Sequence, residues 1–440
     1  MGRESPPPLA RPPAAAEPDA AAGEHNAAPR TPPGTPSIVL THHWLVRRRG
    51  GERVLEALCE LAPDAPLFTL VHDPHGLRAS YPAAPTSQAD PAARDGAPGP
   101  SHSAPECSTA EARRRLALVE RRDIRASFLQ RIPGAKRHYP KLLPLMPAAA
   151  RLMKLPEADV VLCSDAALAK AMTPHRSSRV ICYCHSPMRY VWDLCDEYGR
   201  SLPRVLRPFW PRVARRLRDA DRRAAERVDQ FVANSSHVAD RIRRHYGRDS
   251  VVIHPPVDLP PAPVSDAAAA GAGRAAFYLC VGHHVAYKRL DLAVSACGRL
   301  GRELVVIGTG PQAELLRRQR GDDQRLRFLG WQPDEVIADH YRRSRGLLFP
   351  GEEDFGIVPV EALAHGCPVI AYGVGGARET VVDGTTGVLF EPQTVEALVA
   401  AMERAEALTW TRAAMRAHAE RFSRERFLAQ MRAVLTGGAT

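Results

Sequence analysis

Short runs of apolar, often β-branched residues alternate with helix-length segments along most of this chain, and nothing else in it constrains the fold as tightly. Before residue 260 the runs are Ser37–Thr41, Leu67–Val71, Ala158–Cys163, Arg179–Cys184, Gln230–Ala233 and Val251–His254. After residue 275 they are Phe277–Val281, Glu303–Ile307, Arg327–Leu329, Gly346–Phe349, Pro368–Ala371 and Val388–Phe390. Strands that are apolar throughout are covered on both faces, as parallel sheets flanked by helices are. Two such halves predict an α/β protein of two doubly wound parallel-sheet, Rossmann-like domains facing a central cleft. Ligands of such sheets lie beyond the carboxyl ends of the strands, so functional residues are expected in the loops that follow them.

Proline marks the boundaries. Its 40 occurrences in 440 residues crowd into stretches that lack apolar periodicity. Such stretches bury too little apolar surface to offset chain entropy. They predict a disordered leader over 1–36, a disordered insertion at about 82–110 and a linker over 260–275. The first domain then spans 37–259 and the second 276–408, with a C-terminal helix over 409–440 crossing back to the first domain.

Composition narrows the class. The net charge of +11 is almost all arginine, the only lysines being Lys136, Lys141, Lys154, Lys170 and Lys288. A basic balance alone suggests nucleic acid, but aromatics are only 6% and form no platform interleaved with basic residues, so no nucleic-acid partner is expected. No apolar run reaches the ~18 residues of a membrane span, and the first residues lack the apolar core of a signal peptide. Nine scattered cysteines without a C-x-x-C fit reduced thiols. A cytoplasmic enzyme is expected, peripheral at the inner face of the cell membrane.

Several segments carry chemistry. THHWLVRRRGGERVLEAL places Gly50 and Gly51 just before a helix, where unpaired N–H groups favour an anion and glycines allow a diphosphate to approach. LVVIGTGPQAE places Gly308 and Gly310 directly after a strand, as a nucleotide-binding turn does. An NAD-linked oxidoreductase is disfavoured there, because Ala313 stands where the third glycine would be and no acidic residue follows RLRFLGW. In FPGEEDFGIVPVEALAHG, Glu353 precedes Glu361 by eight residues around the backbone N–H groups of Gly356, Ile357 and Val358. Carboxylates beside an anion site suit a ligand with hydroxyls to donate, a sugar and a ribose. VGHHVAYKRLDLA sets Lys288 and Arg289 where they can neutralise phosphate.

The remaining candidates are weighed against plainer roles. His185 ends a strand in VICYCHSPMRYVWD and suits a bond to a substrate hydroxyl. The nearby Cys182 and Cys184 do not make a metal site with it, since strand residues alternate faces and no fourth ligand follows. Asp219-x-Asp221 matches a metal-binding pair of sugar transferases, but it lies inside an arginine-rich helical pattern and is expected to pair with neighbouring arginines. The segment Arg204–Arg227, with Leu206, Phe209, Trp210, Val213 and Leu217 among arginines, suits either an anionic membrane surface or a helix packed on its domain.

These segments, with SFLQRIPGAKRHYPKLLPLMP, FVANSSHVADRIRRHYG and HPPVD, resemble the retaining GT-B glycosyltransferases of family 4, most nearly their GDP-mannose-dependent mannosyltransferase branch, which builds bacterial surface polysaccharide. The resemblance covers almost everything outside the two Pro-rich stretches. It implies sugar transfer with retention, no metal and no cofactor, from a nucleotide sugar to a lipid-linked saccharide. Glu353 would hold the transferred sugar, Glu361 the ribose, Lys288 the leaving phosphate, and His185 the donor sugar. Gly50, Gly51, Gly356, Ile357 and Val358 would cradle the diphosphate. One position departs from the family: an arginine that usually precedes the lysine is replaced by His283, beside His284. That predicts a weaker clamp that loses affinity above neutral pH unless another arginine, such as Arg289, substitutes. A GT-B epimerase or hydrolase shares the fold without a sugar acceptor.

Overall fold

The computed structural model describes residues 36–81, 107–261 and 276–437. The expected leader and most of the expected insertion and linker lie outside these residues.

Both sheets are wholly parallel. The first runs in the order β3-β2-β1-β4-β5-β6-β7, from β1 (Ile38–His42), β2 (Leu67–Thr69), β3 (Ile124–Ala126), β4 (Val160–Asp165), β5 (Arg179–Cys184), β6 (Gln230–Ala233) and β7 (Ser250–Val252). The second runs β10-β9-β8-β11-β12-β13, from β8 (Phe277–Val281), β9 (Glu303–Ile307), β10 (Leu326–Gly330), β11 (Gly346–Phe349), β12 (Val369–Tyr372) and β13 (Gly387–Phe390). In each sheet the winding reverses at one place, between β1 and β4 and between β8 and β11. Loops diverge there, which opens a crevice at the carboxyl ends.

Each sheet is covered on both faces. In the first, Leu40, Leu162, Ile181 and Val232 pack under Val54, Leu55 and Leu58 of helix Gly50–Leu61, while Val39, Val161, Cys182 and Phe231 face Met146, Leu217 and Ile242. Each such side chain contributes about 1.5–3 kcal/mol on burial.

β3 was not among the expected strands. It is three residues long, only half-buried, and IRA has no apolar run to mark it. The second domain extends past residue 408. Helix Arg412–Ala419 packs on helix Ile357–Ala364, and the chain crosses back at Phe422–Ser423, after which helix Arg424–Leu435 lies against helix Gly50–Leu61. Val257, on the outward passage, donates its N–H to Phe422 O at 2.9 Å, so the two passages between domains lie side by side. Helix Cys107–Glu120 also begins inside the stretch assigned to the insertion.

Arg204–Arg227 is not one helix. Pro208 and Pro211 sit at the first positions of the turn Arg207–Phe209 and of a separate helix, where proline starts an element rather than continuing one, and the helix proper is Trp210–Ala225. Leu217 is buried and Trp210 and Val213 pack on the core, so this helix lies on its domain. The exposed apolar residues are instead Val205, Leu206 and Phe209, at 76%, 50% and 61% exposure, in the turn before it. Asp219 and Asp221 also diverge. Asp219 is exposed, whereas Asp221 is fully buried and pairs with Lys170 (2.6 Å), not with an arginine. Lys170 is held equally by Asp165 (2.6 Å), and Asp221 accepts from Trp192 Nε1 (2.8 Å) and Tyr246 OH (2.7 Å).

Candidate active site

The second domain's wall is built by the loops after β8 and β11. Lys288, in the single turn Ala286–Lys288, places Nζ 2.7 Å from Glu353 Oε1. Burial works against the Lys288 charge, but the facing carboxylate outweighs it and holds the ammonium above its ordinary pKa. Helix Ile357–Ala364 starts directly beyond, with Gly356 as N-cap at φ 90°. That conformation favours glycine, and the first helical N–H groups beyond it lack intrahelical partners.

The first domain's wall comes from the ends of β1, β4 and β5, with the start of helix Gly50–Leu61. A Cβ on Gly50 would sit 3.1 Å from Ile357 Cδ1, and one on Gly51 would sit 3.7 Å from both His185 Nε2 and His43 Cε1. The two glycines therefore lie between His185 and the helix that carries Glu361. His185 Nε2 is 2.8 Å from Ser164 Oγ, which is 3.0 Å from His42 Nδ1. Burial, and then the neighbouring His42, pushes His185 down to about 3, so the ring is neutral at physiological pH.

Side chains join the walls directly. Arg53, one turn into helix Gly50–Leu61, forms an ion pair with Glu361. Asp354, next to Glu353, accepts from Arg241 Nη1 at 2.5 Å through Oδ1, and its main-chain oxygen accepts from Ser235 Oγ at 2.5 Å. Arg189 lies 3.6 Å from Asp354 Oδ2, with its guanidinium over the Tyr287 ring at 5.1 Å. Glu379 accepts from Ser236 N (2.8 Å) and His237 N (3.3 Å), meeting the first turn of helix Ser236–Tyr246 from the other domain. The arrangement brings two carboxylates, a lysine, a helix start and a neutral imidazole to one cleft.

Comparison with known proteins identifies what is built this way. Residues 104–260 match the family model "Glycosyltransferase Family 4", and residues 267–422 match "Glycosyl transferases group 1". Over these residues the chain is similar to family 4 and group 1 glycosyltransferases. Among curated relatives, the D-inositol 3-phosphate glycosyltransferase of Geodermatophilus obscurus is 34% identical over 48% of this chain and 53% of its own length. That of Rhodococcus jostii is 33% identical over 45% and 50%. The chain thus spans about half the length of the curated relatives it matches. Solved structures agree in fold. HepE of Anabaena, in complex with UDP and glucose, superposes with TM-score 0.59 at 17% identity, over 91% of this chain and 99% of that one. The apo lipopolysaccharide outer core galactosyltransferase WaaB gives 0.57 at 16%, over 91% and 99%.

Within the cleft, several expected residues stand differently from their sequence assignment. The Arg289 guanidinium is engaged by Asp291 (3.0 Å) and Gln393 (3.2 Å), not by the Lys288–Glu353 pair. A Cβ on Gly308 would lie 1.9 Å from Gly282 O, and one on Gly310 2.5 Å from His284 O, so close packing of the β8 and β9 loops itself requires both glycines. His283 Nδ1 lies 2.6 Å from Thr309 O. Burial, followed by the charges of Arg49, Lys288 and Arg47, lowers its pKa despite that bond, and His284 is pushed to about 4 by burial and His283.

Arg47, Arg49, Arg53, Arg189 and Asp354 were not singled out from sequence. RRRGGERV reads as a charged loop, and only the fold shows which of its arginines turn to the second domain. Among the described residues no group of three His, Cys, Asp or Glu side chains is arranged to hold a metal. No helix there is long and apolar enough to cross a membrane.

Proposed function

We propose that this protein transfers a hexose from a nucleoside diphosphate sugar to a saccharide acceptor, with retention at the anomeric carbon and without a metal. The observation that carries this reading is the Lys288–Glu353 pair, 2.7 Å apart, beside the start of helix Ile357–Ala364 and opposite Gly50, Gly51 and His185. Lys288 and the helix N–H groups supply positive charge where the leaving diphosphate gathers negative charge, and preorganised charge in a desolvated cleft is an effective source of rate. Glu353 accepts from sugar hydroxyls and Glu361 from the ribose. The exposed Arg47 and Arg49, whose charges reach His283, take the place of the arginine that His283 replaces.

The donor sugar is mannose and the carrier GDP, on the strength of the family branch the motifs resemble. A second reading, a UDP-sugar donor, is favoured by the likeness in fold to HepE, which has been solved with UDP-glucose. The acceptor is a lipid-linked saccharide, met at a membrane face through Val205, Leu206, Phe209 and the exposed Arg200, Arg204 and Arg207. The curated relatives, named for D-inositol 3-phosphate, supply the alternative acceptor.

The test is donor binding in EDTA with GDP-mannose, GDP, UDP-glucose, UDP and NAD, for the wild type, Glu353→Ala and Lys288→Ala. Tight GDP-mannose binding that both variants lose supports the reading. A preference for UDP-glucose keeps the reaction and replaces the donor, whereas binding of NAD alone overturns it.

A further inference from the structure

The ends of three adjacent strands bring four polar side chains into a line. His42 ends β1, Ser164 is its register partner on β4, and His185 directly follows β5. Glu52, from helix Gly50–Leu61, closes the line. His42, Ser164 and Glu52 are 0%, 0% and 3% exposed. The separations are 2.8 Å from His185 Nε2 to Ser164 Oγ, 3.0 Å from Ser164 Oγ to His42 Nδ1, and 3.6 Å from His42 Nε2 to Glu52 Oε1. The last is an ion contact longer than a hydrogen bond, and His42 Nε2 has no hydrogen-bond partner.

A serine hydroxyl has one proton, so Ser164 donates to one imidazole and accepts from the other. The Glu52 end decides which. Its Oε2 accepts from Arg49 N at 2.9 Å. Burial pushes this carboxyl up, but the facing His42, with His43 and Arg49 nearby, outweighs it and leaves the Glu52 pKa lowered overall. With a single proton on the His42 ring, that proton lies on the nitrogen facing the carboxylate, here Nε2. His42 Nδ1 is then a bare acceptor, Ser164 donates to it, and Ser164 Oγ must accept from His185. The neighbouring His43 does not intrude, since its Nδ1 faces the Ser164 carbonyl at 3.3 Å.

We propose that Glu52, His42 and Ser164 are positioning residues that hold His185 as its Nε2–H tautomer and present Nδ1 to the donor sugar as a hydrogen-bond acceptor. Among the described residues no protein group bonds that Nδ1. A sugar hydroxyl that donates to it keeps electron density on its own oxygen, which favours the positive charge that develops on the ring as the anomeric bond breaks. The proposal rests on the reading that His185 meets the donor.

The experiment is NMR of the ¹⁵N-histidine-labelled full chain at pH 8, with the tautomer read from two-bond ¹⁵N–¹H couplings and His185→Ala used to assign the signal. The wild type should show His185 protonated on Nε2. Glu52→Gln keeps an acceptor for Arg49 N but turns an amide N–H toward His42. Every bond in the line then reverses, His185 moves its proton to Nδ1, and kcat falls about tenfold or more with GDP affinity unchanged. Ser164→Ala, which cuts the line without touching the helix start, should leave a mixture of tautomers. A wild-type Nδ1–H tautomer, as a doubly protonated His42 would impose, overturns the relay, and so does a tautomer that ignores both variants. If the tautomers behave as stated but His185→Ala transfers sugar at the wild-type rate, the relay stands and the donor contact falls.

Discussion

Arg53 of the first domain and Glu361 of the second form an ion pair across the cleft. One guanidinium therefore touches the carboxylate to which the ribose is assigned. Both side chains are about one-fifth exposed, so water screens the pair only in part. A carboxylate has two oxygens, and Arg53, which meets Oε1, leaves Oε2 for the ribose hydroxyl assigned to it. Arg53→Ala is expected to raise the donor KM about 3–10-fold with kcat little changed, since a charged hydrogen bond of this exposure contributes about 1 kcal/mol. Steady-state kinetics with varied donor check it, and an unchanged KM sinks it.

Lys288 and Glu353 should separate binding from turnover. Glu353→Gln keeps the shape and removes the charge. It should retain GDP affinity within about threefold and lower kcat by about 10². Lys288→Ala should lose both, because the leaving phosphate loses its cation. Equal loss of GDP affinity in the two variants would contradict the division of roles.

His283 should contribute little pH dependence. Its pKa is depressed, so the ring is already neutral at pH 7 and there is no positive charge to lose as pH rises to 8. Donor affinity is expected to be flat over that interval, contrary to the loss above neutrality that the His283 replacement first suggests. Arg49→Ala should weaken donor binding about fivefold or more, since an arginine–phosphate contact is charge-assisted. Calorimetric titration at pH 7 and 8 measures both.

Lys170 should matter to stability alone. It is buried between Asp165 and Asp221, and Lys170→Met strands two carboxylates in the core, at a cost of about 3–5 kcal/mol. The signs at the two pH extremes differ. Asp165 is depressed, so its contribution is present above the ordinary carboxyl pKa of about 3.9 and fades as pH falls through its lower folded value. Lys170 is raised, so its contribution is full below about 10.4 and fades as pH rises through the folded value. Thermal melts of the wild type and Lys170→Met from pH 3 to 10 should converge only at the acid end.

The turn before helix Trp210–Ala225 offers a test of membrane contact. Leu206→Asp with Phe209→Asp should lower the partition constant onto vesicles of anionic phospholipid, read by sedimentation, by about 10² or more and leave donor binding intact. Each exposed apolar side chain inserted is worth about 1.5–3 kcal/mol. Unaltered sedimentation would remove the proposed membrane contact.

The strands were legible because burial on both faces leaves an uninterrupted apolar signature, as in Val160–Asp165. β3 was not, because three half-buried residues carry no such signature. At the site, the segment from Glu353 to Glu361 was legible since its spacing and its glycine survive translation into a strand–loop–helix. Arg53 and Asp354 were invisible for the opposite reason. Their partners lie 308 and 113 residues away, Glu361 and Arg241, and nothing local marks an ion pair between domains. Asp221 misled for a related cause, because its partner Lys170 is remote in sequence while arginines crowd its own helix.

The paired passages at Val257 and Phe422 have a mechanical consequence. A backbone hydrogen bond, Val257 N–H to Phe422 O, ties the outward and return passages together at one point. Arg53–Glu361, Arg241–Asp354 and the Glu379 contacts to Ser236 and His237 all bridge the same two domains. Separating the two domains about that tie would have to break all three sets of contacts.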